Sequence, residues 1–211
     1  MYLSRLILDP RSRRVRSELA AAYEMHRTLM QGFPASLPAD ERVLFRVDVD
    51  RRSGVPVVLV QSRHRPDWSL LASAERYLLD VSDRGLLNPD CKAVHLSLTG
   101  GQLLGFRLRA NPAYKRGGKR LAWLTEPEQL RWLERKGHEG GFRVMAVTVI
   151  PEGWQESSKG DGVTRLQLKH YSVRFDGHLR VTDPQVFLET IASGVGPAKG
   201  LGFGLLSVAP P

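Results

Sequence analysis

Cysteine is nearly absent from this chain: Cys91 stands alone among 211 residues. No internal disulfide and no paired-cysteine zinc module can therefore form. Long apolar runs are missing too, and no stretch approaches the ~20 apolar residues that span a bilayer. Arg5 interrupts the apolar start Met1–Pro10, which lacks a small-residue cleavage site. These absences predict a reduced, cytoplasmic, soluble protein without a membrane partner. Acidic side chains are in short supply, with 22 Asp and Glu against 31 Lys and Arg, a formal charge of +9. Such an excess calls for a polyanionic partner, and by itself it does not say which. The remainder is ordinary for a folded protein. Hydrophobic residues at 42% and charged residues at 25% exclude disordered and fibrous classes, and the length suits one large or two small domains.

The excess charge is not spread evenly. Residues 1–105 hold 15 basic and 12 acidic side chains, and residues 106–211 hold 16 and 10. Arg11, Arg13, Arg14 and Arg16 crowd one helix start. Arg107, Arg109, Lys115, Arg116, Lys119 and Arg120 form a second acid-free run, interrupted by Asn111, Pro112, Gly117 and Gly118. Either run alone is equally a solvated face. Together with Lys159, Arg165 and Lys169 they suggest a surface that tracks phosphates.

Hydrophobic spacing gives two similar halves. Tyr2–Leu8 reads as a strand stopped by Asp9-Pro10. Val15, Leu19 and Ala22 at i, i+4 and i+7 predict a helix that continues, with a break, through Tyr23–Met30. Val43, Phe45, Val47 and Val49 alternate as a strand, Val55–Gln61 is another, a short helix starts at Trp68, and Tyr77–Val81 is the expected fourth strand. Residues 82–101 read as a linker. In the second half Leu104, Phe106 and Leu108 alternate, and Thr125 with Glu128 makes a capping box for a helix ending at Gly137. Strands are expected at Phe142–Ile150 and Thr164–Phe175, and Asp176-Gly177 is an expected hairpin turn into Leu179–Val181. Asp183-Pro184 starts a helix ended by Gly194, and Leu201–Val208 is the expected last strand. The order strand–helix–strand–strand–helix–strand occurs twice. It predicts an α+β protein of two tandem ferredoxin-like (RRM-like, βαββαβ) domains with an extra β-hairpin in the second. The expected boundaries are 1–85, a linker at 86–101, and 102–211.

Chemistry-bearing residues are few. None of the six histidines has a metal-motif partner, so neither a metal nor a cofactor is expected. The glycine run from Gly194 to Gly204 follows a helix and precedes a strand, the reverse of nucleotide-binding loops. It is either a tight connection or a surface for close backbone approach around Lys199, Gly200 and Gly202. Tyr23 and His26 share a helix face at i and i+3, with Arg27 one turn beyond Tyr23. That face offers a hydroxyl, a titratable imidazole and a fixed cation, although a surface histidine without a role fits the same pattern. His170, in a basic strand, is a candidate RNA contact without a catalytic neighbour.

The segments Tyr23–Leu29, Phe106–Pro112 and Gly194–Pro210, supported by Val57–Gln61, Pro66–Ser69 and Val181–Pro184, closely resemble the CasE (Cse3) family. Its members are the CRISPR repeat-processing endoribonucleases of type I-E systems. The resemblance runs end to end. It implies two ferredoxin-like domains and metal-independent cleavage of precursor CRISPR RNA at the 3′ base of each repeat hairpin. It further implies retention of the product within the Cascade complex beside other subunits. Carried over, His26 falls on the catalytic histidine, Tyr23 on its supporting tyrosine, and Arg27 near the scissile region. Residues 155–170 correspond to an RNA-contacting hairpin, with Lys159, Arg165 and Lys169 as its cations. The alternative is a subunit of the same complex that binds the RNA hairpin without cutting it.

Overall fold

The computed structural model describes residues 1–50, 52–159 and 166–211, with only the backbone described at 157–159 and 166–168. Two compact units emerge. One contains Met1–His95 and Gly200–Gly202; the other contains Leu96–Glu156, Leu168–Lys199 and Phe203–Pro211.

The first unit runs β1 (Tyr2–Ile7), α1 (Arg13–Ala20), α2 (Ala22–Met30), β2 (Leu44–Val49), β3 (Pro56–Ser62), α3 (Ser69–Ser73) and β4 (Asp90–Ala93). Its antiparallel sheet has the order β2-β3-β1-β4. Strand periodicity turns Leu6, Leu8, Phe45, Val58 and Val60 to one face, where Met25 and Leu29, one turn apart on α2, cover them. All seven are at most 1% exposed. Leu19 does not join this core and is 37% exposed. The chain breaks at Ala21 (φ −131°, ψ 82°), and the inward positions of the short helix α1 are Val15 and Glu18.

The fourth strand is not Tyr77–Val81. Leu78 makes only an isolated bridge to Leu8, and Asp80 then takes the Ser82 N–H in a turn that prevents continuation. Asp90–Ala93, inside the expected linker, pairs with β1 instead, Arg5 opposite Asp90. Asn88 leads into that strand: its side chain accepts from the Ile7 N–H and donates to the Ile7 and Leu79 carbonyls.

The second unit runs β5 (Leu103–Ala110), β6 (Ala113–Arg116), β7 (Lys119–Ala122), α4 (Glu126–Glu139), β8 (Phe142–Lys159), β9 (Leu166–Val181), α5 (Pro184–Ser193) and β10 (Leu206–Ala209). Its sheet order, β10-β5-β9-β8, repeats the first with the same chain sequence. Both sheets thus have the ferredoxin-like arrangement, in which the first and third strands are central. Leu104, Phe106 and Leu108 face Trp132, Leu133, Phe187 and Ile191 in a core where each is at most 6% exposed. Asp183 caps α5 by accepting from the Gln185 and Val186 N–H groups, and the Thr125–Glu128 capping box forms as expected.

Three local expectations fail here, two of them at closely packed glycines. Asp176-Gly177 is no turn; β9 passes straight through it. Gly177 is there because a Cβ would collide with the Ala146 carbonyl oxygen on the neighbouring strand. Gly137 does not end α4, which continues to Glu139; a Cβ at Gly137 would meet the Phe142 carbonyl at 2.7 Å. The last strand starts only at Leu206, after a 3-10 turn at Lys199–Leu201. The hairpin outside this sheet is β6–β7, within the second basic run, turning at Gly117-Gly118 with φ of 55° and 74°.

Candidate functional site

Helix α2 carries Tyr23, His26 and Arg27. Met25, Thr28 and Leu29 are its buried residues, which leaves Tyr23 and His26 half-buried and Arg27 exposed. The spacing that anchors the helix therefore also directs the imidazole toward the surface. Arg27 pairs with Glu24 at 3.2 Å. Tyr23 makes no polar contact with the described residues that would tie down its hydroxyl, and shares the half-buried level of His26.

The His26 ring lies between two elements of the first unit. Phe45 on β2 stacks with it at 6.2 Å between centroids and 15° between planes. Gly200 lies over the ring: a Cβ there would be 3.6 Å from Nε2, 3.7 Å from Cδ2 and 3.8 Å from Cε1, nearly equidistant from the three and so above the face at its Nε2 end. Nδ1 is buried without a hydrogen-bond partner among the described residues, so Nε2 is the nitrogen placed to exchange protons. Burial lowers the imidazole pKa below its usual 6.5, because the charged ring loses solvation there.

Of the glycine run, Gly200 gives access to the ring and Gly202 a conformation. Gly202 has φ +83°, and a Cβ would approach Phe45 to 3.2 Å. Lys199 packs its stem near Gly204, in the second unit.

The basic candidates divide into two groups. Arg107 grips Asp176 with two bonds of 2.7 and 2.9 Å, and Asp176 also takes Arg174 at 3.2 Å. Arg109 bonds Glu152 at 2.6 Å and Ser172 at 3.1 Å, beneath the Phe203 ring. Lys169 pairs with Glu156 at the surface. Arg11 and Arg14 of the first run likewise have carboxylate partners, Asp9 and Glu18. Lys115, Arg116, Lys119 and Arg120 differ. They are exposed on β6–β7, where Lys115 faces Arg120 and Arg116 faces Lys119 directly across the hairpin. Opposed like charges weaken a hairpin, so this arrangement is suited to an external anion. Lys159 and Arg165 lie outside the residues whose side chains are described.

Sequence reasoning missed two features. Phe45 was legible as a core strand residue, but nothing in its spacing linked it to His26. A groove of about 790 Å³ in the second unit brings Arg135 and Lys136 of α4 beside Lys115, Arg120 and Lys199, with Glu139 as its acidic member. Helical periodicity places Arg135 and Lys136 on α4 without showing which strand they face. Among the described residues, no His, Cys, Asp and Glu cluster could hold a metal ion, and no helix is long and apolar enough to cross a membrane.

The chain is similar to known proteins over its whole length. The chain is 42% identical to the CRISPR-associated endoribonuclease Cse3 of Thermus thermophilus, with both proteins covered in full. It is 32% identical to the Cascade subunit CasE of Escherichia coli, again over both full lengths. In three dimensions it resembles Cse3 bound to a 19-nucleotide RNA, with TM-score 0.86, 43% identity and both chains fully covered. Cas6e from Escherichia coli matches with TM-score 0.72 and 29% identity, also over both full chains. Residues 1–210 match the family described as CRISPR associated protein, and the chain belongs to that family.

Proposed function

We propose that this chain is an endoribonuclease that cuts precursor CRISPR RNA at the 3′ base of the repeat hairpin and stays on the product as a Cascade subunit. The observation that carries the reading is the His26 ring, its pKa lowered by burial, with Gly200 over the face at its Nε2 end. A glycine there lets the RNA backbone come close. The resemblance to Cse3, a pre-cleavage RNA complex included, supplies the substrate class. The division of labour follows the two units, with proton transfer on the first and the phosphate-facing hairpin on the second.

The ribose 2′-hydroxyl upstream of the scissile phosphate attacks phosphorus in line. Nε2 of His26 accepts its proton as the new P–O2′ bond forms and the P–O5′ bond breaks, leaving a 2′,3′-cyclic phosphate. The departing 5′-oxygen takes a proton from the imidazolium and leaves as a hydroxyl, which restores the neutral ring. No water is consumed, and the chemistry asks for no metal. Proton transfer of this kind contributes about 10²–10⁴-fold. Tyr23 orients the hydroxyl or the ring, and Arg27, one residue from His26, offsets the charge on phosphorus. Lys115, Arg116, Lys119 and Arg120 bind phosphates of the hairpin, joined by Lys169 and by Lys199 with its flanking glycines. Arg107 and Arg109 are already paired with carboxylates. The site of action is the cytoplasm, where the transcript is made.

The test is cleavage of a repeat hairpin RNA in EDTA by wild type and His26→Ala. The reading expects a cyclic-phosphate end with wild type, and binding without cleavage in the variant. A 3′-hydroxyl product would overturn the mechanism. Intact RNA bound by wild type would make the chain a non-cutting hairpin cap.

A further inference from the structure

A buried carboxylate on α1, which the mechanism above does not use, ties down the helix that carries His26. Glu18 is 6% exposed, and Thr28 and Tyr77, its partners, are 5% and 1% exposed. Glu18 Oε1 accepts from Arg14 Nε at 2.8 Å and from the Thr28 hydroxyl at 2.8 Å; Oε2 accepts from the Tyr77 hydroxyl at 2.7 Å. Arg14 Nη2 donates in turn to the Thr28 hydroxyl at 3.1 Å, and the Arg14 guanidinium lies 4.9 Å over the Tyr77 ring. Burial, and after it the bond to Glu18, push the Tyr77 hydroxyl far above its usual pKa, so it stays a donor. Within this cluster the Thr28 hydroxyl both gives and takes a hydrogen bond, as a satisfied buried network requires.

The position of this network matters because α2 lacks the usual devices at its start. Its N-cap is Ala21, which offers no side-chain acceptor, and the two helices meet at that one residue with no loop between them. A joint of a single residue leaves the rotation of α2 about its axis to be fixed by tertiary contacts. Met25 and Leu29 supply apolar contacts, which are non-directional. Thr28, two residues past His26, supplies the directional one, and Glu18, three residues before the joint, receives it. About 100° of helix rotation separates successive residues, so a rotation of α2 moves His26 relative to Phe45 and Gly200 on a fixed lever.

We infer that Glu18 and Thr28 are positioning residues for the cleavage reaction: their hydrogen bond across the Ala21 joint sets the rotation of α2 and so the depth of His26 against Gly200. The inference rests on the assignment of His26 as the proton-transfer group. An ångström of misplacement at a reacting centre is enough to cost about 10²-fold, so the effect falls on turnover and on the titration of the ring, and leaves RNA affinity alone.

Thr28→Val keeps the shape and removes the hydroxyl; Thr28→Ser keeps the hydroxyl. Asp183→Ala, which removes the cap of α5 in the other unit, serves as a control that loses stability without touching α2. For each, single-turnover cleavage of the repeat hairpin, Kd for the same RNA with a 2′-deoxy block at the scissile position, Tm, and the His26 pKa by NMR titration are measured. The expected result for Thr28→Val is a cleavage rate at least about tenfold lower, Kd within about threefold, and a His26 pKa moved up toward 6.5 as the ring loses burial. Thr28→Ser restores both rate and pKa. A Thr28→Val protein with wild-type rate and wild-type His26 pKa overturns the inference. So does a rate loss that Thr28→Ser does not repair, or one that Asp183→Ala reproduces at equal Tm. If His26→Ala still cuts, the assignment of His26 fails; the NMR titration of Thr28→Val then still decides whether the network sets the ring's depth.

Discussion

The imidazole of His26 and the phenyl ring of Phe45 are stacked, 15° from parallel with centroids 6.2 Å apart. Phe45 thus packs hydrocarbon beside the proposed proton-transfer ring, and Gly200 lies over its Nε2 end. This packing has a cost in acid. The folded His26 pKa lies below the unfolded value of 6.5, so the unfolded chain binds the proton more readily. The ring's contribution to stability is complete above about pH 6.5, and is lost as pH falls through the lower folded value. His170, lowered by burial and then by Arg120, acts with the same sign. Between pH 7.5 and 5, wild type is expected to lose more Tm than His26→Ala, as thermal melts at both pH values will show.

The same shift predicts the pH–rate profile. A ring acting as base holds the cleavage rate level from neutrality to below pH 6.5, with the fall centred on the lowered pKa. Phe45→Leu, which removes the stacked ring and part of the burial, moves that fall back toward 6.5. A rate that rises steadily on acidification would assign His26 as the acid.

Gly200 and Gly202 are expected to fail in different ways. Gly200 has room for a methyl group in ordinary contact, 3.6 Å from Nε2. Gly200→Ala is therefore expected to fold normally and to cut at least about tenfold more slowly, because the methyl occupies the proposed path of the RNA backbone. Gly202, at φ +83° and against Phe45, carries a backbone cost: Gly202→Ala loses about 1–2 kcal/mol of stability. Denaturant melts paired with cleavage assays separate the two.

The hairpin cations invert the usual relation between binding and stability. Arg116→Ala with Lys119→Ala removes an opposed like-charge pair, so Tm holds or rises slightly, by the equivalent of about 0.2–1 kcal/mol. RNA affinity falls, and the slope of log K against log salt shrinks by about one for each phosphate that the variant no longer neutralises. Binding isotherms at several salt concentrations give both numbers.

Glu41 offers a stability test at a residue the proposed mechanism does not use. Its side chain is fully buried and accepts from the Arg42, Arg63 and His64 N–H groups and from the His64 ring. Burial by itself would raise this carboxyl, but the hydrogen bonds, Arg63 first, outweigh it and hold the pKa below the usual 4.5. Its contribution is present above about pH 4.5 and disappears as pH falls through the lower folded value. Glu41→Gln is expected to lose about 2–3 kcal/mol at neutral pH, measured by urea unfolding.

Much of this architecture was legible in the chain. Alternation at Phe45 and at Leu104, Phe106 and Leu108, the capping box at Thr125, and the Asp183-Pro184 helix start are local signals that tertiary structure left untouched. Where reading failed, the deciding contact was remote in sequence. Nothing around Gly177 reveals that Ala146 presses against it, so Asp176-Gly177 reads as a turn. Asp90–Ala93 has little strand character of its own and is recruited by the free edge of β1. In the site, helix spacing was enough to place Tyr23 and His26 together. The partners that set the imidazole's chemistry, Phe45 and Gly200, lie 19 and 174 positions away from it, beyond any periodicity.

Gly200–Gly202 belong to the first unit although almost two hundred residues separate them from its opening strand. The unit carrying His26 is therefore not a module that can be lifted out of the gene. A fragment ending near residue 95 would carry the imidazole and its phenyl neighbour but leave the glycine border behind on the discarded piece. Chimeras between relatives that exchange the two halves inherit the ring from one parent and its rim from the other, and the last dozen codons travel with the first hundred if the nuclease is to be kept whole.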